Sequence, residues 1–370
     1  MSVLGVVFSN IHDYNVPELT RHRTMASIPF GGRYRLIDFV LSNMINSNIT
    51  KVGVITKNNY QSLMDHVGSG KDWDLARKNG GLILLPPFGA SGNDTLYNSR
   101  LEALKGITNF LTKANDEYVL MTDCDNVCSI DYNKIIDFHI KKKADITLVY
   151  KNLNVSNNND NNSTVLKLSD SGRITDIAFQ PNVNGDVKLF INIYVMNRLF
   201  LINLIMDAIS HGQQHFTKDI LSANVNSLKI FGYEFTGYFA GITSMHSYFV
   251  NNMKMLDSDV RKDLFGNRNV YTKIRDSAPT KYGAGAQVNN SLISDGCVIE
   301  GEVVNSILFR GVKIGRGTIV KNCILMQDAV TGENASLNCV IADKNVVIRD
   351  NRILSGCDVQ PFFIAKGSMV

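Results

Sequence analysis

Apolar runs of strand length punctuate the first two thirds of the chain. Val3-Leu4-Gly5-Val6-Val7-Phe8 is continuous and apolar, the pattern of a central parallel strand covered on both faces. Further runs follow at Lys51–Thr56, at Glu117–Thr122, which ends in Asp123-Cys124-Asp125, and at Ile191–Met196. Between the first two, Pro29-Phe30-Gly31-Gly32 reads as a tight turn, because glycine reaches positive φ without a Cβ clash. Leu36, Val40, Leu41 and Met44 then recur at helical spacing, which predicts a loop feeding a buried helix with Asp38 and Ser42 one turn apart. Lys151–Ser163 contains Asn157-Asn158-Asn159-Asp160-Asn161-Asn162 and reads as a polar, low-complexity solvent loop.

The period changes near residue 284. Asn290-Ser291-Leu292-Ile293, Asn305-Ser306-Ile307-Leu308, Asn322-Cys323-Ile324-Leu325 and Asn338-Cys339-Val340-Ile341 recur at intervals of 15, 17 and 16 residues. Aliphatic residues also fall six apart, as Ile293 and Ile299, Leu308 and Ile314, Ile314 and Val320, or Ile341 and Val347. This rhythm predicts a left-handed parallel β-helix, whose coils bury their apolar rows only by stacking. The expected organisation is an α/β domain over 1–250, a helix and connector over 251–283, and a β-helix over 284–370. Open ends and flat faces of a β-helix suit subunit contacts.

At 370 residues, 44% of them hydrophobic, the chain is long for one core and comfortable for two. Its net charge of +4 is spread out with no aromatic-interleaved basic block, so nucleic acid is not expected as a partner. No apolar run reaches the roughly 18 residues a membrane span needs, and a cytoplasmic protein is expected. Cysteines at 124, 128, 297, 323, 339 and 357 lack metal spacing and read as buried free thiols, with Cys323 and Cys339 at equivalent corners of the repeat. His211 and His215 are four apart, but Gly212 intervenes and a loop-and-cap role is expected.

Phe30 to Asn43, reading F-G-G-R-Y-R-L-I-D-F-V-L-S-N, resembles the F-G-G-[KR]-[FY]-R-[LI]-I-D-F-x-L-S-N segment of bacterial ADP-glucose pyrophosphorylases, the glucose-1-phosphate adenylyltransferases. Ile191–Met196 is similar to that family's G-I-Y-V-F strand and His215–Leu221 to its H-D-F-[GT]-K-D-I. The resemblance implies a Rossmann-like nucleotidyltransferase domain, followed by the left-handed parallel β-helix. It also implies a reaction in which Mg²⁺ sits between two aspartates.

Several positions depart from the motifs. Ser9–Asn15 stands where the family has a G-G-x-G-[ST]-R-L phosphate loop, and Met25 where its Lys-Pro lysine lies. Tyr97-Asn98-Ser99-Arg100 replaces Y-R-G-T, Gln180 replaces the lysine that grips the sugar phosphate, and Gly241 replaces the second metal aspartate. Asp125 matches the first metal aspartate. One lost charge pair at about 4 Å is worth roughly 4 kcal/mol at an effective dielectric near 20, about three powers of ten in rate.

The resemblance therefore implies the family's regulatory, catalytically deficient branch of low-GC Gram-positive bacteria. Such a chain would have no cofactor of its own, with Mg²⁺ in a catalytic partner subunit and a hetero-oligomer, a tetramer, as the working form in glycogen synthesis. A sugar-phosphate effector is a further expectation, with Arg21, Arg23, Arg33, Arg35 and Tyr97 as candidate contacts. Three other readings stay open at this point. They are an active sugar nucleotidyltransferase, a nucleotide-sugar glycosyltransferase using the D-x-D of Asp123 and Asp125, and a free-standing sugar-phosphate sensor.

Overall fold

The computed structural model describes residues 2–87, 97–155, 163–179 and 185–370. Two compact units make up the chain. One comprises Met1–Ile11, Phe39–Gly241 and Asn269–Tyr271, the other His12–Asp38, Ile242–Arg268 and Thr272–Val370.

The first unit is built on a mixed sheet. Its strands are β1 (Val3–Phe8), β2 (Lys51–Ile55), β3 (Gly81–Leu85), β4 (Tyr118–Asp123), β5 (Asn126–Cys128), β6 (Ile146–Val155), β7 (Thr164–Leu168), β8 (Ile174–Phe179), β9 (Gly185–Asn197), β10 (Ile230–Glu234) and β11 (Phe239–Gly241). Among the described residues the order is β8-β7-β9-β4-β1-β2-β3, with β6 pairing β9 and β10 pairing β6. A separate ladder joins β11 to β5. As the continuous apolar pattern predicts, β1 is central, parallel to β4 and β2, with Leu4, Val6 and Val7 fully buried. Lys151–Val155 corrects the solvent-loop expectation. Backbone pairing to Gly185–Leu189 of β9 extends β6 to Val155 despite the polar composition, while 157–162 lie outside the described residues.

The helix Leu36–Asn46 buries more than its predicted stripe, since Ile37 and Phe39 are covered as well. Asp38 closes its start by accepting from the Arg35 backbone N–H at 3.0 Å. Further along, the Asn43 amide donates to the Cys128 carbonyl at 2.9 Å and its oxygen accepts from the Ile130 N–H at 3.1 Å. Ser47 accepts from the Tyr132 N–H at 3.0 Å, and Ser42 from the Tyr271 N–H at 2.8 Å. Asn43 and Ser47 thus staple this helix to the segment that leaves β4, while the motif's Ser42 holds Tyr271.

The second unit holds the left-handed parallel β-helix, in three columns of in-register strands. One column is Lys281–Tyr282, Val298–Ile299, Lys313–Ile314, Val330–Thr331 and Val347–Ile348. The next is Gln287–Asn289, Glu302–Val304, Ile319–Lys321, Ser336–Asn338 and Ile353–Ser355. The last is Leu292–Ile293, Ile307–Leu308, Ile324–Leu325, Val340–Ala342 and Phe362–Ile364. Two residues, Glu300-Gly301, join the first and second columns in the second coil, whereas Gly315–Thr318 makes that link in the coil above.

Register corrects two details of the repeat. The left-handed corner residues are Asn290, Asn305, Asn322 and Cys339, at φ 40, 47, 52 and 51°, so Cys339 is equivalent to Asn322 rather than to Cys323. Asn338 instead stacks within a strand on Lys321. In the same coil Ala342 and Ile348, not Ile341 and Val347, join the inner core. Ile307, Ile324 and Ile341 are buried on the opposite face, where both sides of the column are apolar and spacing alone misleads. Burial pushes the thiols of Cys128 and Cys323 up to about 12 and that of Cys339 to about 11, as expected for inert thiols. Cys357 departs from that expectation in being exposed.

The glycine turn packs on the third column. Gly31 and Gly32 have φ of 61 and 81°, and a Cβ on Gly32 would lie 3.3 Å from Ser294 Oγ and 3.4 Å from the Ile307 side chain. Ser294 donates to the Gly32 carbonyl at 2.8 Å, and the Gly31 N–H donates to Asn252 at 2.9 Å.

Asn43→Ala removes a donor and an acceptor from buried backbone groups. It is expected to cost about 2 kcal/mol, read as a lower urea midpoint with an unchanged slope.

Candidate functional site

Strands β1 and β4 end together, Phe8 opposite Asp123, at the edge where open α/β sheets receive ligands. The loop leaving β1 is tied down. Ser9 donates to the Ile55 carbonyl at 2.7 Å, and the Tyr97 hydroxyl donates to the Asn10 side-chain oxygen at 2.8 Å. Asp123 is 1% exposed and Asp125 6%, and their carboxylate oxygens come within 4.8 Å of each other. Arg100, the first residue of the helix Arg100–Gly106, donates to Asp123 Oδ2 at 2.5 Å. Its guanidinium carbon also lies 5.0 Å from the centre of the Phe8 ring and 5.2 Å from that of Tyr194. Burial opposes the charge, yet Asp123, then Tyr194 and Asp125, raise the pKa of Arg100 above its ordinary value. The site therefore carries a fixed positive charge. Sequence reading missed Arg100 as a functional group, although the signal was present as a guanidinium where the family motif has a threonine.

A second cluster forms within the other unit. Arg23 bonds both oxygens of Asp343 at 2.8 Å, with each side chain only 3% exposed. Lys344 lies beside this pair. Burial pushes its ammonium down to about 7, with Arg35, Arg23 and Arg275 adding to the shift and Asp343 opposing it. Of the four arginines picked out in the sequence, Arg23 and Arg35 gather here, whereas Arg21 and Arg33 are exposed. Tyr97 belongs to the first unit, by Asn10. Lys344 and Arg275 carry no motif and become visible only when the coils are stacked.

A nucleotidyl transferase family profile matches residues 16–258, and a GlmU-like C-terminal hexapeptide profile matches 277–360. The chain is 33% identical over 372 residues to the glycogen biosynthesis protein GlgD of Bacillus subtilis (strain 168), covering 99% of this chain and 96% of that one. It is 34% identical over 309 residues to the glucose-1-phosphate adenylyltransferase of Geobacillus stearothermophilus, covering 82% and 79%. A 31% identity over 341 residues to the Bacillus mycoides (strain KBAB4) glucose-1-phosphate adenylyltransferase covers 91% and 90%. The chain belongs to the glucose-1-phosphate adenylyltransferase family.

The family's landmark positions can be followed residue by residue. Gly241 of β11 sits opposite Asn126, the residue after Asp125. A Cβ there would meet the Phe239 ring at 3.4 Å, an ordinary contact, so the position has room for a side chain and lacks a carboxylate. Its ladder is intact, with Asn126 donating to the Ile191 carbonyl at 2.6 Å. Met25 is buried, and its N–H donates to Asp13 Oδ1 at 2.7 Å, so an apolar side chain fills the place of the motif's lysine. Gln180 lies outside the described residues. Asp219 accepts from the His215 and Gln214 N–H groups at 2.9 Å, which holds its carboxyl below the usual range. His211 caps a helix through Nδ1, 2.9 Å from the Asp207 carbonyl oxygen.

The family's two-aspartate Mg²⁺ site is incomplete in these residues, although Asp123 and Asp125 lie together. Position 241 offers no carboxylate, and Oδ2 of Asp123, two residues before the motif's Asp125, already holds a guanidinium. The same ion pair weighs against the D-x-D glycosyltransferase reading, which needs Asp123 for a metal.

Arg23→Met leaves Asp343 buried beside an apolar group and is expected to cost about 3 kcal/mol or more. Pairing it with Asp343→Leu should return most of that loss in urea unfolding.

Proposed function

We propose that this chain is a regulatory, non-catalytic subunit of glucose-1-phosphate adenylyltransferase. It would work with a catalytic subunit in a cytoplasmic hetero-oligomer, a tetramer, to modulate ADP-glucose synthesis for glycogen. The observation that carries this reading is Gly241. The β5–β11 ladder, the Asn126 bond and the Asn43 staple keep the frame of the crevice, while the group that would hold the second face of the metal has gone. Relatives whose names specify glycogen biosynthesis and glucose-1-phosphate adenylyl transfer support the pathway. No helix among the described residues is long and apolar enough to cross a membrane, which is compatible with the proposed compartment.

The regulatory part of the proposal rests on the second unit. Arg23, Arg35, Arg275 and Lys344 together outweigh Asp343, and such an excess of positive charge, reaching from buried Arg23 to exposed Arg275, favours a phosphorylated sugar. A bound phosphate would restore the proton to Lys344. Anion affinity should therefore fall as pH rises above about 7, and binding there should take up a proton. Stability without anion runs the opposite way. The folded ammonium titrates near 7 and the unfolded one near 10.5, so the folded state loses its proton first and gains stability with pH across that interval. Calorimetry with glucose 1-phosphate in two buffers of different ionisation enthalpy measures the proton uptake, which Lys344→Ala should abolish.

The deciding experiment measures ADP-glucose formation by this chain alone, by a catalytic partner alone and by the mixture. No product from the chain alone, together with a changed rate or apparent affinity in the mixture, is expected. Unchanged kinetics in the mixture would end the regulatory reading. Gly241→Asp with Met25→Lys should restore little synthesis, because Arg100 and the glycine-free loop remain.

A further inference from the structure

We propose that Arg100 is a resident cation, a covalently attached replacement for the divalent metal, which keeps the strand-end crevice acidic in composition and closed to metal ions. This rests on the non-catalytic reading and adds to it a reason that lies in a residue present rather than in residues lost.

Three observations place the guanidinium against the Asp123-Cys124-Asp125 turn, which carries the family's first metal aspartate. Phe8 and Asp123 are register partners at the carboxyl ends of adjacent parallel strands, the position at which a nucleotide's phosphates and their metal gather in open α/β sheets. Arg100 reaches this point between the Phe8 and Tyr194 rings and bonds Asp123 Oδ2 at 2.5 Å. The pair is shut off from water, with side-chain exposures of 9% and 1%. Asp125 lies close enough for its charge to act on the same guanidinium. One permanent cation therefore serves both carboxylates of the Asp123-Cys124-Asp125 turn.

The approach of Arg100 is built in. Ser99 caps the helix by accepting from the Glu102 N–H at 3.2 Å and donates its own proton to the Gln214 carbonyl at 2.6 Å, which anchors the first turn against the segment before Asp219. A positive side chain at the start of a helix opposes the helix dipole, a position that sequence rules disfavour. Here Asp123 compensates. A guanidinium cannot shed its charge at working pH, so a divalent ion arriving at Asp123 meets both a blocked oxygen and a like charge in a medium that screens poorly.

Removing the guanidinium should uncover an ion site. The probe is Mn²⁺, followed by water-proton relaxation and by thermal unfolding of the full chain, for the parent, Arg100→Gln and Arg100→Lys. Arg100→Gln is expected to bind Mn²⁺ roughly tenfold more tightly than the parent or more, and to gain thermal stability with Mn²⁺ where the parent gains none. Arg100→Lys keeps the charge and should resemble the parent. Adding Asp123→Asn to Arg100→Gln should cancel the gain.

Tight Mn²⁺ binding by the parent, or a folded Arg100→Gln chain that binds no better, overturns the proposal. Should Arg100→Gln fail to fold without metal, its refolding yield decides instead. A yield that rises with Mn²⁺ supports a vacated cation site, and a yield indifferent to it overturns one. ADP-glucose formation by the parent chain alone is a separate readout. It would sink the non-catalytic reading while leaving the ion measurements to judge Arg100.

Discussion

A carboxylate buried at the end of a parallel strand requires a cation beside it, and much of the first unit follows from which cation supplies that charge. Asp123 is 1% exposed, and an uncompensated charge at such a depth would cost several kcal/mol. A metal ion answers this need from solution, can leave, and can bridge to a phosphate. The guanidinium of Arg100 answers it from within the chain, is always present, and ends at the ion pair. The sheet thereby keeps its shape without depending on any dissolved ion, and the edge that could have been reactive becomes a packed electrostatic contact.

The surrounding frame shows how far packing and chemistry can separate. Asn43 satisfies the backbone on both sides of Ser129, Asn126 holds the Ile191 carbonyl, and Asp219 collects two N–H groups. These contacts bury or satisfy polar backbone, so their loss would be felt in stability whether or not the crevice turns over substrate. At position 241 only the backbone has such a duty, in the ladder to Asn126. A glycine there breaks no ladder and opens no cavity, since the Phe239 ring stands at ordinary contact distance from the missing Cβ.

Much of this architecture was legible from pattern alone, for reasons that particular residues make clear. The run Val3–Phe8 is apolar throughout because successive side chains of the central strand β1 are buried on both faces, and the Leu36 to Met44 stripe recurs at helical spacing because that side of the helix is buried. Polar Lys151–Val155 hid a strand because ladder bonds to β9 are made by backbone, which composition does not record. The repeat was readable until Asn338-Cys339, where Cys339 adopts the left-handed corner that asparagine takes in the coils below and shifts the alignment by one. Of the site, the absent groups at 25 and 241 could be read against a motif. The Arg23, Lys344 and Arg275 grouping could not, because only coil stacking and the hairpin at Gly31-Gly32 bring such distant positions together.

The link of two residues at Glu300-Gly301, against the longer Gly315–Thr318 above it, shows where the solenoid absorbs changes in chain length. Corners can lengthen without disturbing the rungs, but a strand cannot slip without turning its inner row outward. Growth is thus quantised. Any surface at the far end of the stack can move along its axis only in whole steps of about 4.8 Å, one per added or deleted coil. The β-helix is in this sense a ruler graduated in coils, and an assembly that reads it has to match a count rather than a length.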